Sequence, residues 1–336
     1  MSTTTLSSSA SRAASGLMSG ASAFGVKAAL ALLLTVVFAG LPLVTTAQFT
    51  MSLGTTLMIM AIAAVSLHLI IRTGHVSLAH AAFMGLGAYA AVLGTTQFSL
   101  PFPLALLAAF LVPAAAALVL GPLLLRLSGK YFVLVTFLVG EIIRLVFVSW
   151  QSFTGGANGI FGIPLPYGFL ESPVAYYYFV FAFTALSMAF VARLLQSEVG
   201  RSIDAIREEN RLAECSGIPV LSVKVAVFVI ACGMVGVAGA LSAFFIRYID
   251  PTSFSIIQSL NLVVMNIVGG MYQMAGAVIG VLFFVILPEF LRGYVELQRV
   301  IFGVCLVVVM AFLPGGIVQL VARLRQLVAT RRGAEG

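Results

Sequence analysis

The chain alternates between long apolar runs and short polar stretches. Each apolar run is continuous rather than alternating at period two, which favours membrane-spanning helices over the strands of a β-barrel. Inside a bilayer every backbone polar group must be satisfied within its own element, and a helix of about 20 residues does this while crossing. Ten runs are present, at about residues 26–46, 51–71, 76–96, 102–125, 131–150, 174–194, 223–246, 257–270, 274–291 and 299–321. The pattern predicts an all-α integral membrane protein with about ten transmembrane helices.

The eighth run, 257–270, is short for a helix that crosses a bilayer in a straight line. It ends at Gly269-Gly270, and glycine is a poor helix former. Membrane proteins accommodate a broken helix where the interrupted backbone lines a cavity or is covered by protein. We therefore expect a bent or broken helix at this position.

Composition supports the membrane assignment and leaves little room for a soluble domain. Of the 336 residues, 61% are hydrophobic and only 9% are charged, whereas soluble domains usually carry about 25% charged residues. The net charge is +7, but the basic residues lie in loops between apolar runs, which indicates membrane topology rather than nucleic-acid binding. The cysteines Cys215, Cys232 and Cys305 lack metal-ligand spacing, and we expect them to be small buried hydrophobic residues.

The distribution of Lys and Arg tests the number and orientation of the spans. With a cytoplasmic N-terminus and ten spans, the outer side holds only Arg247, Arg292 and Arg299, and Arg144 lies within a span. The other basic residues all fall on the cytoplasmic side: Arg12, Lys27, Arg72, Arg126, Lys130, Arg193, Arg201, Arg207, Arg211, Lys224, Arg323, Arg325, Arg331 and Arg332. Because cytoplasmic loops collect positive charge, this asymmetry predicts that both termini are cytoplasmic.

The two ends of the chain differ in composition from the apolar middle. Residues 1–24 are rich in Ser, Thr, Ala and Gly, and we expect a disordered leader there. A transmembrane domain follows over 25–322, and 323–336 form a cytoplasmic tail. An alternative is that Lys27, the run after it and Thr45-Thr46-Ala47 form a signal peptide that is removed. The long leader and the charge balance with ten spans favour a retained first helix.

The longest inner loop, 195–222, has the pattern of an amphipathic helix. Ile203, Ile206 and Ala213 fall near one face of a helix over 201–214. Glu208 and Arg211 have the spacing of an i,i+3 pair, and Asp204 would lie in the first turn, where a negative charge suits the helix dipole. The segment is either a connector in water or on the lipid surface, or a coupling helix that docks into a groove of another protein.

The residues of this loop resemble a known family. Gly200-Arg201-Ser202, Ala205-Ile206-Arg207-Glu208 and Gly217-Ile218 are similar to the cytoplasmic loop of ABC importer permeases, most of all the branched-chain amino acid permeases of the LivM type. The resemblance implies that this loop inserts into a cleft of an ATPase subunit. The coupling residues would be Gly200, Arg201, Ala205, Ile206, Arg207, Glu208, Ala213 and Gly217.

Residues 74–89 resemble an early motif of the same family, with Ala79 where Gly is usual. We expect a helix to start here with Ser77 as its cap, and small residues to let another helix come close. His75 and His80 stand without a carboxylate or cysteine nearby in the sequence, so a metal site is not predicted.

The fifth span and the loop after it also resemble the family. Glu141 and Arg144 can neutralise each other on one helix face, and ionisable residues in a span point to a functional site, although a purely structural pair is the alternative. Thr154-Gly155-Gly156-Ala157-Asn158-Gly159 is either a flexible outer loop that presents N–H groups or a simple turn. The residues expected along the substrate path are Ser77, Glu141, Arg144, Gly155, Gly156 and Asn158.

Later segments complete the resemblance, which covers about residues 50 to 320. Asp250-Pro251 and the stretch up to Gly270 resemble the family, whereas Met271-Tyr272-Gln273 stands where a small, Gly-rich turn is usual and Ala277 where Pro is usual. Gly233, Gly236 and Gly239, like Gly276 and Gly280, are spaced for close helix packing.

The chain has no nucleotide-binding motif, since Gly129-Lys130 is followed by Tyr131 and lacks the upstream glycine of a phosphate loop. We therefore expect no enzyme and no cofactor on this chain, with ATP and Mg²⁺ on a separate ATPase. The resemblance implies a permease for branched-chain or related amino acids in the bacterial inner membrane. Its partners would be a second, LivH-like permease, two ATPase subunits and a periplasmic binding protein. The alternatives are an ABC permease for urea or short amides, an ion-coupled secondary transporter, and a structural partner of another subunit.

Overall fold

The computed structural model describes residues 48–165 and 167–291, together with the single residues Gly40, Pro42, Val300, Ile301, Gly303, Val304, Val307 and Gly316. The predicted leader 1–24, the first run 26–46 and the tail 323–336 lie outside the described residues, apart from Gly40 and Pro42. Most of the tenth run, 299–321, lies outside them as well.

The described chain is mainly helical, as the apolar runs predict. The α-helices are α1 (Gln48–Arg72), α2 (His80–Thr96), α3 (Phe102–Leu124), α4 (Lys130–Ser149), α5 (Gln151–Thr154), α6 (Pro173–Gln196), α7 (Glu198–Glu208), α8 (Asn210–Cys215), α9 (Val220–Ile246), α10 (Ile256–Gly269) and α11 (Met274–Phe290). Among the described residues, α1, α3, α4, α6 and α9 are each long and apolar enough to cross a membrane. The second to seventh runs of the sequence therefore correspond to helices α1 to α4, α6 and α9.

The central helix α2 is shorter than its apolar run predicts. It has 17 residues, about 25 Å at the helical rise, and nearly all of them are buried against α3 and α9. Glycines permit this close packing: a Cβ on Gly87 would lie 2.2 Å from Cα of Gly236, and a Cβ on Gly239 would lie 2.0 Å from the carbonyl oxygen of Met84. The prediction that Gly236 and Gly239 serve close helix packing is confirmed.

The predicted break after the eighth run is confirmed. Helix α10 ends at Gly269, Gly270 has a φ of 130°, and the chain direction changes by 115° before α11. With 14 residues, α10 is about 21 Å long, too short to cross alone. The two helices pack so closely at Gly280 that no side chain fits there. A Cβ on Gly280 would lie 1.7 Å from the carbonyl oxygen of Met265. We call α10 and α11 the bent hairpin, and residues 270–273 its tip.

The loops meet at two separate ends of the helices. At one, called the sheet end, β1 (Ile160–Phe161) pairs antiparallel with β2 (Tyr248–Ile249). At the other, called the α7 end, Arg72 donates to Asp204, and the guanidinium of Arg207 lies over the ring of Tyr272. These contacts group the loops as the alternating spans predict, because the loops expected on one side of the membrane meet at one end.

The cysteines differ from expectation at one position. Cys232 is buried in α9, as predicted, but Cys215 is exposed, so the prediction that it is a buried hydrophobic residue is wrong. Cys215 is the last residue of α8, just before the turn that leads to α9, and the residue of α8 that packs inward is Ala213. Cys305 lies outside the described residues.

Candidate functional site

The amphipathic segment consists of two short helices, α7 and α8, rather than one. The chain breaks at Glu209, which has extended backbone angles and whose side chain accepts a hydrogen bond from the Arg211 N–H at 3.4 Å. Ile206 and Ala213 are buried and pack with Val220 at the start of α9, and Ile203 is buried as well. The predicted apolar face is confirmed, and it holds the segment against the ends of the spans.

Two local predictions for this segment are wrong. Asp204 does not lie in a first helical turn, because α7 begins at Glu198; instead its carboxylate binds Arg72, the last residue of α1. Glu208 and Arg211 do not share a helical face, because the break at Glu209 separates them. Within the described residues, the i,i+3 ion pair of this segment is Arg201 with Glu198, at 3.3 Å.

The predicted coupling residues divide into three groups by exposure. Gly200, Ile206 and Ala213 are buried, Ala205 and Arg207 are half-buried, and Arg201, Glu208 and Gly217 are exposed. The buried members position the segment, while the exposed members are free to meet another protein.

Sequence reasoning missed one prominent exposed residue, Leu212, which is 68% exposed. Its neighbours Glu208, Asn210 and Arg211 are exposed and polar. A signal was available, because Leu212 is the apolar residue of α8 that falls off the stripe formed by Ile206 and Ala213. We call Glu208, Asn210, Arg211, Leu212 and Glu214 the docking face.

The connector 73–79 between α1 and α2 replaces the helix start predicted there. The prediction that Ser77 caps a helix is wrong: α2 begins at His80, its N-terminal flank is Ala79, and the Ala81 N–H donates to Ser259 Oγ of α10 at 3.0 Å instead. The backbone is satisfied by other elements instead, since Leu78 N–H donates to Thr136 Oγ1 at 3.2 Å. Ser77 is fully buried, and its Oγ has no hydrogen-bond partner among the described residues.

The two histidines of this region make local contacts. His75 Nδ1 lies 3.0 Å from the carbonyl oxygen of Thr73, and His80 Nε2 lies 2.8 Å from Ser66 Oγ. Within the part of the chain that the structure describes, no group of three or more His, Cys, Asp or Glu residues is placed to hold a metal ion.

The predicted ion pair in the fifth span is confirmed. Arg144 Nε lies 3.0 Å from both carboxylate oxygens of Glu141, and both side chains are half-exposed on α4. Glu141 lies eight residues before Ser149, about 12 Å from that helix end. The pair is therefore well inside the span, between the buried stripe that contains Gly140 and Phe147 and the exposed side of α4.

The outer loop after α4 is held by its own backbone and by β2. Thr154 Oγ1 donates to the carbonyl oxygen of Phe147 at 2.6 Å, and the Tyr248 hydroxyl donates to that of Asn158 at 3.2 Å. Gly155 and Gly156 have φ values of 76° and 62°, which favour glycine. Gly156 is buried, whereas Asn158 is exposed.

Asp250, beside this loop, caps the 3₁₀ turn Pro251–Phe254. Its Oδ1 accepts from the backbone N–H groups of Thr252 at 2.7 Å and Ser253 at 3.0 Å, and its Oδ2 accepts from Ser253 Oγ at 2.7 Å. Burial raises the pKa of Asp250, but the hydrogen bonds from Thr252 and Ser253 outweigh burial and hold that pKa below its usual range.

The residues predicted along the substrate path lie beside α4, on it, or in the loop that follows it. Ser77 is in the connector 73–79, which packs against Gly140 of α4. A Cβ on Gly140 would lie 3.1 Å from Cα of Ala79 in that connector. Glu141 and Arg144 lie on the half-exposed side of the same helix. The Gly155–Asn158 loop follows its end at Ser149. The structure thus aligns these residues along α4 rather than gathering them in one pocket.

Comparison with known proteins agrees with the architecture. The family described as branched-chain amino acid transport system / permease component matches residues 49–310. The chain is 28% identical over 295 residues to the high-affinity branched-chain amino acid transport system permease protein LivM of Escherichia coli K12, covering 80% of this chain and 69% of that protein. The protein of the same name from Salmonella typhimurium is 29% identical over 271 residues, covering 73% of this chain and 64% of the relative.

A more distant relative comes from an archaeon. It is the probable branched-chain amino acid transport permease protein LivM of Methanocaldococcus jannaschii, 23% identical over 237 residues, covering 63% of this chain and 68% of the relative. The chain thus spans about two thirds of the length of the curated relatives that it matches. No solved structure gives a significant match.

Proposed function

This chain belongs to the family of branched-chain amino acid transport system permease components, and we propose that it forms one half of the translocation path of an ATP-driven importer in the bacterial inner membrane. The cargo is a branched-chain amino acid or a related one, as the names of the relatives indicate. ATP and Mg²⁺ bind to a separate ATPase subunit, and ATP binding shifts the outward/inward equilibrium of the helices. The observation that carries this proposal is the pair of short helices α7 and α8 with its exposed docking face.

The docking face fits a groove on an ATPase subunit. Leu212 supplies an exposed apolar side chain, and Glu208 and Arg211 supply charges around it. An apolar anchor inside a polar rim is the usual arrangement of an energetically important contact. Ile203 and Ile206 hold α7 against the ends of the spans, so the docking face is presented by a segment that is itself packed.

The exposed side of α4 supports a second, LivH-like permease beside this chain. Leu134, Leu138, Ile142 and Leu145 are exposed there, next to the half-exposed pair of Glu141 and Arg144. An ion pair that faced lipid at mid-span would be costly. We therefore place this side of α4 against the second permease, where the pair borders the substrate path.

The remaining assignments follow from the charge distribution. The α7 end is cytoplasmic, as are both termini, and the leader 1–24 and the tail 323–336 flank the membrane domain. The sheet end faces the periplasm, where a binding protein delivers the cargo. The exposed Asn158 and the backbone of Gly155 and Gly156 lie at that entrance.

The decisive experiment copurifies the transporter through a tag on this chain and measures uptake of labelled leucine in proteoliposomes. We expect an ATPase to remain bound in the parent complex and in Leu212→Met, which keeps the apolar bulk. Leu212→Glu should release the ATPase and abolish uptake, since a carboxylate would have to enter an apolar cleft. Excess unlabelled urea, added as a competitor, should leave leucine uptake unchanged.

Two results would contradict the proposal. One is leucine uptake driven by an ion gradient in the absence of any ATPase. The other is normal ATPase binding and normal uptake in Leu212→Glu.

A further inference from the structure

The segment that bears the docking face is tied to the membrane domain through two residues of α7 that are not part of that face. Asp204 and Arg207 are three residues apart, so they project from the same side of the helix. Each of them contacts a different element of the membrane domain, and neither belongs to the docking face.

Asp204 connects α7 to α1. Its carboxylate accepts a hydrogen bond from Arg72, the last residue of α1. The side chain of Arg72 is only 16% exposed, whereas that of Asp204 is 39% exposed. A partly desolvated ion pair of this kind resists separation more than a surface pair does.

Arg207 connects α7 to the bent hairpin. Its guanidinium carbon lies 4.9 Å from the centroid of the Tyr272 ring, within the range of a cation–π contact. Tyr272 is 60% exposed and sits at the tip of the hairpin. A contact this exposed is weak, but it joins α7 directly to the tip of the hairpin.

The two elements reached by α7 are themselves joined deeper in the membrane. Asn266 of α10 donates from Nδ2 to the carbonyl oxygen of Ala64 in α1 at 3.1 Å. Ser259, also of α10, accepts at Oγ from the backbone N–H of Ala81 in α2 at 3.0 Å. A displacement of the hairpin tip therefore acts on α1 and on the start of α2, next to the connector.

We propose that Asp204 and Arg207 are the positioning residues that transmit the movement of the ATPase to the permease. They do so through their contacts with Arg72 of α1 and Tyr272 of the hairpin tip. The bent hairpin is then an element that moves during the transport cycle, and α7 displaces it at its tip. This inference rests on the proposed function, because it needs an ATPase that pulls on α7. It adds a division of labour, in which the docking face holds the motor, and Asp204 and Arg207 drive the helices.

The test uses the complete complex in proteoliposomes and separates three readouts: ATPase retained on copurification, ATP hydrolysed, and labelled leucine taken up per ATP. Tyr272→Ala and Asp204→Asn should retain the ATPase and hydrolyse ATP. Uptake per ATP should fall by about fivefold or more, the lower range of typical coupling between sites. Tyr272→Phe, which keeps the ring face, should couple normally.

Glu198→Gln is a matched control for Asp204→Asn. Glu198 pairs with Arg201 of the same helix at 3.3 Å, so its ion pair links α7 to no second element. The variant should therefore keep uptake per ATP at the parent value. If Asp204→Asn assembles poorly, the charge exchange Arg72→Asp with Asp204→Arg provides a second test, because it rebuilds the pair in reverse. The exchange should restore uptake per ATP above the level of Arg72→Asp alone.

Two outcomes overturn the inference. Unchanged uptake per ATP in both Tyr272→Ala and Asp204→Asn would show that neither contact transmits movement. Loss of the bound ATPase in these variants would place the residues in the docking contact instead. Failure of the proposed function looks different, because then the parent complex itself lacks an ATPase or ATP-dependent uptake.

Discussion

The Nε of Arg144 lies 3.0 Å from each carboxylate oxygen of Glu141, and both residues lie well inside the apolar helix α4. About a quarter of the Arg144 side chain and a third of the Glu141 side chain are exposed. The pair therefore combines two features: its charges neutralise each other within one helix, and it is only partly covered by the rest of this chain.

Removal of one partner of this pair should cost more than removal of both. Glu141→Gln leaves Arg144 charged and unpaired within the span, which we expect to lower stability by up to about 3 kcal/mol. The double variant Glu141→Gln with Arg144→Gln should recover most of that loss, because no net charge remains. The measurement is the surviving monodisperse fraction after heating in detergent. Equal stability of the single and double variants would contradict the prediction.

Close packing of α2, α3 and α9 should make Gly236 intolerant of any side chain. Gly236→Ala would place a Cβ 2.2 Å from the carbonyl oxygen of Ala109, and we expect a loss of about 1–3 kcal/mol from overpacking. Gly168→Ala is the control, since a Cβ there meets nothing within 4 Å. Thermal unfolding of the two purified variants decides the matter, and an unshifted transition in Gly236→Ala would count against the packing described here.

The cap at Asp250 should make stability depend on pH at the acid end. The folded-state pKa of Asp250 lies below its unfolded value of about 3.9. Its charged form therefore stabilises the fold above that value, and the contribution is lost as the pH falls through the folded pKa.

The measurement compares the parent protein with Asp250→Ala. The variant should be less stable by about 1 kcal/mol near neutral pH, the usual worth of such a cap, and the difference should shrink below about pH 4. A difference that stays constant from pH 7 to pH 3 would show that the carboxylate charge does not contribute.

The exposed Cys215 allows the orientation of the α7 end to be tested. We expect a membrane-impermeant maleimide to label Cys215 in inverted vesicles but not in intact spheroplasts, because the segment should be cytoplasmic. Cys232 is buried and should stay unlabelled in both. Cys215→Ser identifies the labelled site. Labelling of Cys215 in spheroplasts would place the docking face in the periplasm and remove the basis for ATPase docking.

Elements that depend on local physics were predictable from the sequence. The apolar runs located the helices α1, α3, α4, α6 and α9 to within a few residues, because lipid demands continuous apolar helices of a set length. The break at Gly269-Gly270 followed from glycine, and the Glu141–Arg144 pair from i,i+3 spacing. The buried face of α7 followed from helical periodicity.

Features that depend on distant segments were not predictable. Ser77 does not cap α2, because α2 starts three residues later, at His80, and the N–H of Ala81 donates to Ser259 of the distant helix α10. Asp204 pairs with Arg72 across 132 positions of sequence, and no local rule selects that partner over Arg201 or Arg207. The exposure of Cys215 depends on which side of a short helix packs on the spans.

The sequence by itself determined that the chain crosses a membrane many times, which family it resembles, and which loops share a side. These conclusions rest on hydrophobicity, charge and spacing, which act over one helix at a time. Only the tertiary structure decided that α7 contacts both α1 and the tip of the bent hairpin. Which residues meet there depends on how separate helices pack, and that packing is a property of the whole assembly of helices rather than of any single segment.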